Sequence, residues 1–329
     1  TPAYGKNGGF FKSLKLVVDN KKYIFLGYFG KGIIRIITSY IYAFLWVLKN
    51  IKTGDTVITY NFPPIYAIPL LLKKIFIQFR LIVGFEDFYN IDDKRHYLFG
   101  PFEKFGISYA DAFIASSVGM SNYIKERRKC ASIIINGGYF EDLMTNSKYE
   151  GHENLLNTTK IVYSGTLDKE RGIRDLIELF QSNKSDKFNL TFSGSGPLEE
   201  YVKEMSEQDS RINFVGLLND EDYSKLIVNS HVCVNPQWGS ISVNFPSKIT
   251  MYLSFGKIVL STKIFSLVNS PYKDLLNFYD EDNAEEFWDK LLMIRSNFQQ
   301  SNNDAHMRIL KFKEIIEGQK EALIKLIDE

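Results

Sequence analysis

Two stretches of this chain repeat one pattern: a short apolar run, a glycine turn, then a polar segment of helical period. They are Tyr163-Ser164-Gly165-Thr166-Leu167 and Ser193-Gly194-Ser195-Gly196-Pro197. Glycine at such a turn lets backbone come close to a ligand, and the free N–H groups at a helix start point at an anion. The first turn runs straight into Asp168-Lys169-Glu170-Arg171-Gly172, so Lys169 and Arg171 are placed to neutralise a diphosphate. One strand–glycine–helix turn is common in α/β proteins; two in consecutive units are more telling. Asn244-Phe245-Pro246-Ser247-Lys248 opens a further helix. Ser247 can cap it, and Lys248 then stands at its positive end, a crowding that an anion relieves. Gly8 and Gly9 precede a helical-looking stretch and offer another close approach to phosphate, with a plain turn as the competing reading.

Acid–base chemistry has fewer candidates. Glu86 and Asp87 follow the apolar run that ends at Phe85, where open α/β sheets present ligand-binding groups. Either can act as a base or orient a hydroxyl; a capping Asp beside a solvated Glu explains them equally well. Asn136-Gly137-Gly138 is a turn leading away from an apolar run. The four histidines (His96, His152, His231, His306) lack metal-ligand spacing, and no metal site is expected. No phosphate loop of the Walker type, nucleophile elbow or paired-cysteine motif is present. Cys130 and Cys233 stand far apart and read as small buried hydrophobes.

The elements that would carry these residues alternate. Strands are expected at Lys22–Leu26, Thr56–Tyr60, Leu81–Phe85, Ala112–Ser116, Ser132–Ile135, Lys160–Ser164, Asn189–Ser193, Ile212–Val215, His231–Asn235 and Ile258–Ser261. Most are apolar on both faces, as buried parallel strands are. Helices are expected at Gly172–Gln181, Leu198–Glu207 and Asp220–Asn229, and the tail from Glu285 reads as helices with charged faces. Such alternation means an α/β fold. A polar stretch near Tyr139–Thr159 has no strong period and reads as a linker, dividing the chain into domains 1–145 and 146–329. The net charge of +1 provides no basic field for nucleic acid. No signal peptide is visible. Two windows, Ile33–Leu48 and Pro64–Val83, are almost wholly apolar but carry Arg35 or Lys73, Lys74 and Arg80. Both read as core on one face, or as contacts with a membrane interface.

In order, these pieces resemble the GT-B glycosyltransferases, specifically the large retaining family 4. "IVYSGTLDKERGIRDLIELF", "FSGSGPLEEYV", "INFVGLLNDEDYSKLIVNSHVCVNP" and "FPSKITMYLSFGKIVLST" are similar to that family's donor-domain segments. "YADAFIASSVGMSNYI" with "INGG" resembles the close of its acceptor domain. The resemblance implies two doubly wound Rossmann-like domains with parallel sheets facing across a cleft. It implies a nucleotide diphosphate sugar as donor, UDP- or GDP-linked, and no further cofactor. The diphosphate would meet Gly8 and Gly9 on one side, and Gly165, Thr166, Lys169 or Arg171, Ser247 and Lys248 on the other. Base and ribose would lie over Gly194, Gly196 and Pro197 and near Pro246 and Met251, with the acceptor near Glu86 and Asp87.

The chain departs from the family in two places. Family 4 usually has paired glutamates at the positions that here hold Val243 and Met251, and an arginine where this chain has Thr166. Neither Val243 nor Met251 can bind a hydroxyl as a carboxylate does. The expected reaction is metal-independent, retaining transfer to a glycan, glycolipid or glycoprotein in bacterial surface polysaccharide or glycoconjugate synthesis. The expected location is cytoplasmic, with peripheral contact on the inner face of the cell membrane. An inactive GT-B partner subunit of an assembly complex and a nucleotide-sugar epimerase are the rival readings.

Overall fold

The computed structural model describes residues 9–11, 14–18, 21–26, 28–86, 96–137, 158–239, 244–298 and 304–329. Gly8, Asp87, Gly138 and Val243 therefore lie outside the described residues, as do residues 138–157, where the linker is expected. The chain divides into two compact units, Thr1–Ile114 with Tyr123–Ile133, and Ala115–Asn122 with Ile134–Glu329.

The first unit opens with β1 (Gly9–Phe11), β2 (Leu14–Val18), β3 (Lys21–Phe25) and β4 (Tyr28–Gly30). β1 pairs antiparallel with β4, and β2 with β3. The helical reading of the stretch after Gly9 is thus corrected: Gly9 heads a strand and pairs with Gly30. Leu14, Leu16 and Val18 alternate with Lys15 and Val17, and period-two runs rich in valine favour strand over helix. Next come α1 (Gly32–Asn50), β5 (Thr56–Tyr60), α2 (Pro64–Phe76), β6 (Arg80–Phe85), α3 (His96–Tyr109), β7 (Ala112–Ala115), α4 (Val118–Arg127) and β8 (Ala131–Ile134). The strands form one sheet in the order β5-β6-β7-β8, with β5 and β6 parallel. Leu81, Ile82, Val83 and Phe85 of β6 are fully buried, which accounts for their unbroken apolar run.

The second unit continues with β9 (Thr159–Ser164), α5 (Ile173–Gln181), β10 (Phe188–Ser193), α6 (Glu199–Gln208), β11 (Ile212–Phe214), α7 (Asp220–Val228) and β12 (Val232–Asn235). It closes with α8 (Lys248–Ser254), β13 (Ile258–Thr262), α9 (Phe265–Val268), β14 (Leu276–Tyr279), α10 (Ala284–Ser296) and α11 (Ala305–Asp328). All six strands run parallel, in the order β11-β10-β9-β12-β13-β14. This is the doubly wound order, whose switch point falls between β9 and β12. Strand alternation sends Ile161, Tyr163, Val232, Val234, Ile258 and Leu260 to a core with α5 and α10, while Val162, Cys233 and Val259 face α8 and α11. Both faces are covered, so the strands read as continuous apolar runs. β14, a four-residue strand interrupted by Asn277, is an edge strand not expected from the sequence.

Local chemistry sets the helix starts that follow the two edge strands. The Asn219 side chain accepts from the Asp222 N–H at 2.9 Å and caps α7, whose first turn carries Asp220, Glu221 and Asp222. Asn283 caps α10 in the same way, accepting from the Glu286 N–H at 3.0 Å. Trp288 of α10 donates its indole N–H to the Leu179 carbonyl at 2.8 Å and packs edge-on against Phe188 and Phe287. Trp288→Ala removes this anchor and should cost roughly 3–5 kcal/mol in urea unfolding. Leu292→Ala on the same helix, 47% exposed, should stay within about 0.5 kcal/mol of the parent.

Candidate active site

Beyond the carboxyl ends of β9, β10 and β11 lies a cavity of about 460 Å³. Its lining comes from four chain segments: Ser164, Gly165, Thr166 and Arg171; Ser193, Gly194 and Ser195; Leu217, Leu218 and Tyr223; and Pro246, Ser247, Lys248 and Met251. Open parallel sheets bind ligands at this place, because two neighbouring strand-end loops diverge there.

The two glycine turns are stitched together. Gly165 N–H donates to the Ser193 carbonyl at 3.0 Å, Leu167 N–H to that of Ser195 at 3.0 Å, and Leu198 N–H to that of Leu167 at 2.9 Å. Gly194 holds φ at +135°, and a Cβ there would lie 1.9 Å from the Gly165 carbonyl oxygen. This turn therefore requires glycine for turn-to-turn packing whether or not a ligand is bound. Gly196 serves the same packing: its Cβ would lie 2.4 Å from the Leu167 carbonyl oxygen, and it does not line the cavity.

A buried hydroxyl network fixes the floor. Ser164 N–H donates to the Tyr252 hydroxyl at 3.0 Å. The Ser164 hydroxyl lies 3.0 Å from that of Tyr252 and 3.1 Å from that of Tyr223. One serine thus ties the end of β9 to α7 and α8. Burial pushes the Tyr223 hydroxyl up to about 12, so it stays protonated and can donate.

Lys248 is the outlying group. Its amine is fully buried, has no hydrogen-bond partner among the described residues, and lies 4.0 Å from the centroid of the Tyr163 ring. A Cβ on Gly165 would sit 3.1 Å from it, so the turn leaves room for this amine. Burial, helped by the Arg171 guanidinium and opposed by Asp168, pushes the amine down to about 7. Loss of hydration outweighs the attraction of the ring face. Ser247 does not cap α8 through its side chain; its carbonyl instead accepts from the Thr250 hydroxyl at 2.8 Å. α8 is only seven residues long, and Lys248 folds into the cavity wall under the glycine turn.

The two cations expected after the first turn separate. Arg171 lines the cavity; its backbone N–H donates to Asp168 Oδ1 at 2.8 Å and its guanidinium to Gln237 Oε1 at 3.0 Å. Lys169 instead sits 5.3 Å from the centroid of the Trp238 ring and is not in the lining. Met251 lines the cavity, and the lining contains no carboxylate. Glu86 belongs to the first unit, directly after β6, where its N–H donates to Asn61 Oδ1 at 2.9 Å. Gly137, held at φ +71°, packs against Thr250 of α8. Tyr223, Leu217 and Leu218 were not expected at the site. They sit on and before α7, and only the strand order brings that segment beside β9. Among the described residues no group of three or more His, Cys, Asp or Glu is placed to hold a metal ion.

These features define an α/β fold of the GT-B class. Residues 148–302 match the family described as glycosyl transferases group 1. Among solved structures, a trehalose-6-phosphate synthase studied for glycosyltransfer with retention superposes with a TM-score of 0.70 at 11% identity, over 98% of this chain and 91% of that one. Alr3699/HepE from Anabaena, in complex with UDP, gives 0.66 at 13% identity, over 92% and 85%. A sucrose-phosphate synthase from Thermosynechococcus elongatus gives 0.62 at 14%, over 83% and 74%. No curated protein matches the sequence.

The depressed Lys248 amine makes stability depend on pH. Between the ordinary value of 10.5 and about 7, the unfolded chain binds a proton that the folded chain refuses. Stability therefore rises as pH rises through this window. From about pH 7 to about pH 9 the gain from this group should be on the order of 2 kcal/mol in urea unfolding, and Lys248→Met should remove that increment.

Proposed function

We propose that this chain is a glycosyltransferase whose second unit holds the diphosphate of a nucleotide-sugar donor. One observation carries the reading: a buried lysine amine without a hydrogen-bond partner stands beside Arg171 in a cavity free of carboxylates. A buried cation site of this composition is completed by an anion. The diphosphate of such a donor suits it, because two adjacent phosphates can engage Lys248, Arg171 and the N–H groups of the Gly165 and Gly194 turns together. The match to glycosyl transferases group 1 over residues 148–302 supports this reading.

In the mechanism, the bond between the sugar and the diphosphate breaks, and negative charge grows on the leaving phosphate oxygen. Lys248 and Arg171 stabilise that charge from a buried position, where their effect exceeds what it would be in water. These two side chains supply the countercharge that a metal ion would otherwise bring, so the proposed transfer is metal-independent. Lys248 takes up a proton as the anion binds, since a neighbouring dianion raises the amine above 7 again. The acceptor hydroxyl replaces the diphosphate with retention of anomeric configuration, a reading supported by the trehalose-6-phosphate synthase neighbour, itself studied for retention. UDP is the proposed nucleotide, supported by its presence in the Anabaena structure. The proposed acceptor is a surface glycan precursor; a neighbouring fold belongs to a lipopolysaccharide outer core galactosyltransferase.

Met251 in the cavity wall favours a second reading, a chain that binds the nucleotide without transferring sugar, because no lining carboxylate is present to hold sugar hydroxyls. Calorimetry with UDP, GDP, ADP and dTDP separates the readings. One nucleotide should bind with a Kd on the order of 10 μM, and Lys248→Ala should weaken it at least ~30-fold, about 2 kcal/mol. Binding at pH 8 should take up a proton in the parent but not in Lys248→Met, so parent affinity falls as pH rises above 7. No binding by any of the four to folded protein removes the donor-site reading. Tight binding with no product from a UDP-sugar and a panel of glycan acceptors favours the binding-only chain.

A further inference from the structure

We infer that the α1–α2 face of the first unit is a docking surface for an anionic lipid bilayer, on which the protein lies without spanning it. α1 is 19 residues long and buries only Ala43 and Val47. Ile33, Ile37, Ile41 and Leu45, spaced four apart on one stripe, are 74, 53, 52 and 58% exposed. α2 repeats the spacing with Ile68, Leu72 and Phe76, and Ile75 beside them is 74% exposed. Residues four apart share a helix face, so each helix presents a continuous aliphatic stripe to solvent. The helices pack against each other, and Lys73 of α2 donates to the Leu48 carbonyl of α1 at 2.7 Å. A contiguous apolar surface of this kind marks an interaction site rather than ordinary exposure.

Charge selects the occupant. From residue 31 to residue 80 the basic residues are Lys31, Arg35, Lys49, Lys52, Lys73, Lys74 and Arg80, and the sole acid is Asp55; Lys74 is paired with Asp111 and Lys73 is spent on the Leu48 carbonyl. Neither helix contains an Asp or Glu. Lys31 and Lys49, at the two ends of α1, and Lys52 just past it are exposed. An aliphatic face with cations at its ends fits acyl chains below and anionic headgroups around it.

The geometry also favours lying over spanning. Among the described residues, α1 is the one helix with the length and hydropathy to cross a bilayer. It is tied to its own unit, however: the Thr38 hydroxyl accepts from the Phe29 N–H at 3.0 Å, and α2 packs against it. α2, with 13 residues, is short of the ~20 needed to cross beside it.

The inference goes beyond sugar transfer and does not rest on it. Flotation of the full chain with phosphatidylcholine vesicles, and with vesicles containing about one-third phosphatidylglycerol, is the test. The parent should float with the anionic vesicles at least ~10-fold more than with the neutral ones, and about 1 M salt should reduce this. Ile37→Glu/Ile41→Glu should lower flotation ~10-fold or more. Lys31→Glu/Lys49→Glu, at exposed positions that leave folding intact, should remove the anionic preference. Nucleotide calorimetry on the same samples should be unchanged, which separates this inference from the donor-site reading. Parent protein that ignores anionic vesicles, or floats equally with neutral ones, overturns the inference. So does flotation insensitive to both double variants. Self-association abolished by Ile37→Glu/Ile41→Glu, without vesicle binding, assigns the face to a second copy instead.

Discussion

A lysine amine buried with no hydrogen-bond partner is the constraint around which the second unit is organised. Lys248 loses its hydration against Tyr163; the ring face and Asp168 favour its charge, the Arg171 guanidinium opposes it, and no acceptor among the described residues meets it. A fold that only had to be stable would put an apolar side chain there. The cost is borne by well-packed surroundings: six parallel strands with both faces covered, and a hydroxyl network that ties β9 to α7 and α8 through Ser164. That packing keeps the amine from turning out to water.

Glycine does two different jobs at the same turns. At Gly165 the absent side chain makes room for the Lys248 amine; at Gly194 and Gly196 it lets one turn close on the other. The first makes space for a side chain and the second for backbone, yet both leave the same sequence signature. Gly196 is the instructive case. The sequence places it under the donor's base and ribose; in the structure the adjacent turn occupies the space where its side chain would go, so packing alone requires glycine there.

The carboxylate-free wall at Met251 sets this chain apart from the pattern its sequence otherwise follows. A thioether presents a polarizable apolar surface where the family that the sequence resembles usually has an acid. The only carboxylate that acts on Lys248 is then Asp168, outside the cavity lining, and the lining itself has fewer groups able to grip sugar hydroxyls.

The sequence by itself determined the α/β class, nearly every strand of the second unit and the residues around its glycine turns, since these depend on local period and turn chemistry. Its strand runs at Lys160–Ser164 and His231–Asn235 differ from the observed β9 and β12 by one residue at one end. It misjudged the stretch after Gly9, where valine-rich alternation overrode a helical reading, and it did not signal β14, a four-residue edge strand interrupted by Asn277. Which of Lys169 and Arg171 faces the cavity was decided by tertiary structure, because Trp238 draws Lys169 away and Gln237 holds Arg171. Tyr223 and Tyr252 gained their roles in the same way: the order of strands, which no local pattern encodes, places their helices over the end of β9. The shift of the Lys248 amine toward neutrality follows from burial, and burial is a property of the assembled fold rather than of any neighbour in sequence.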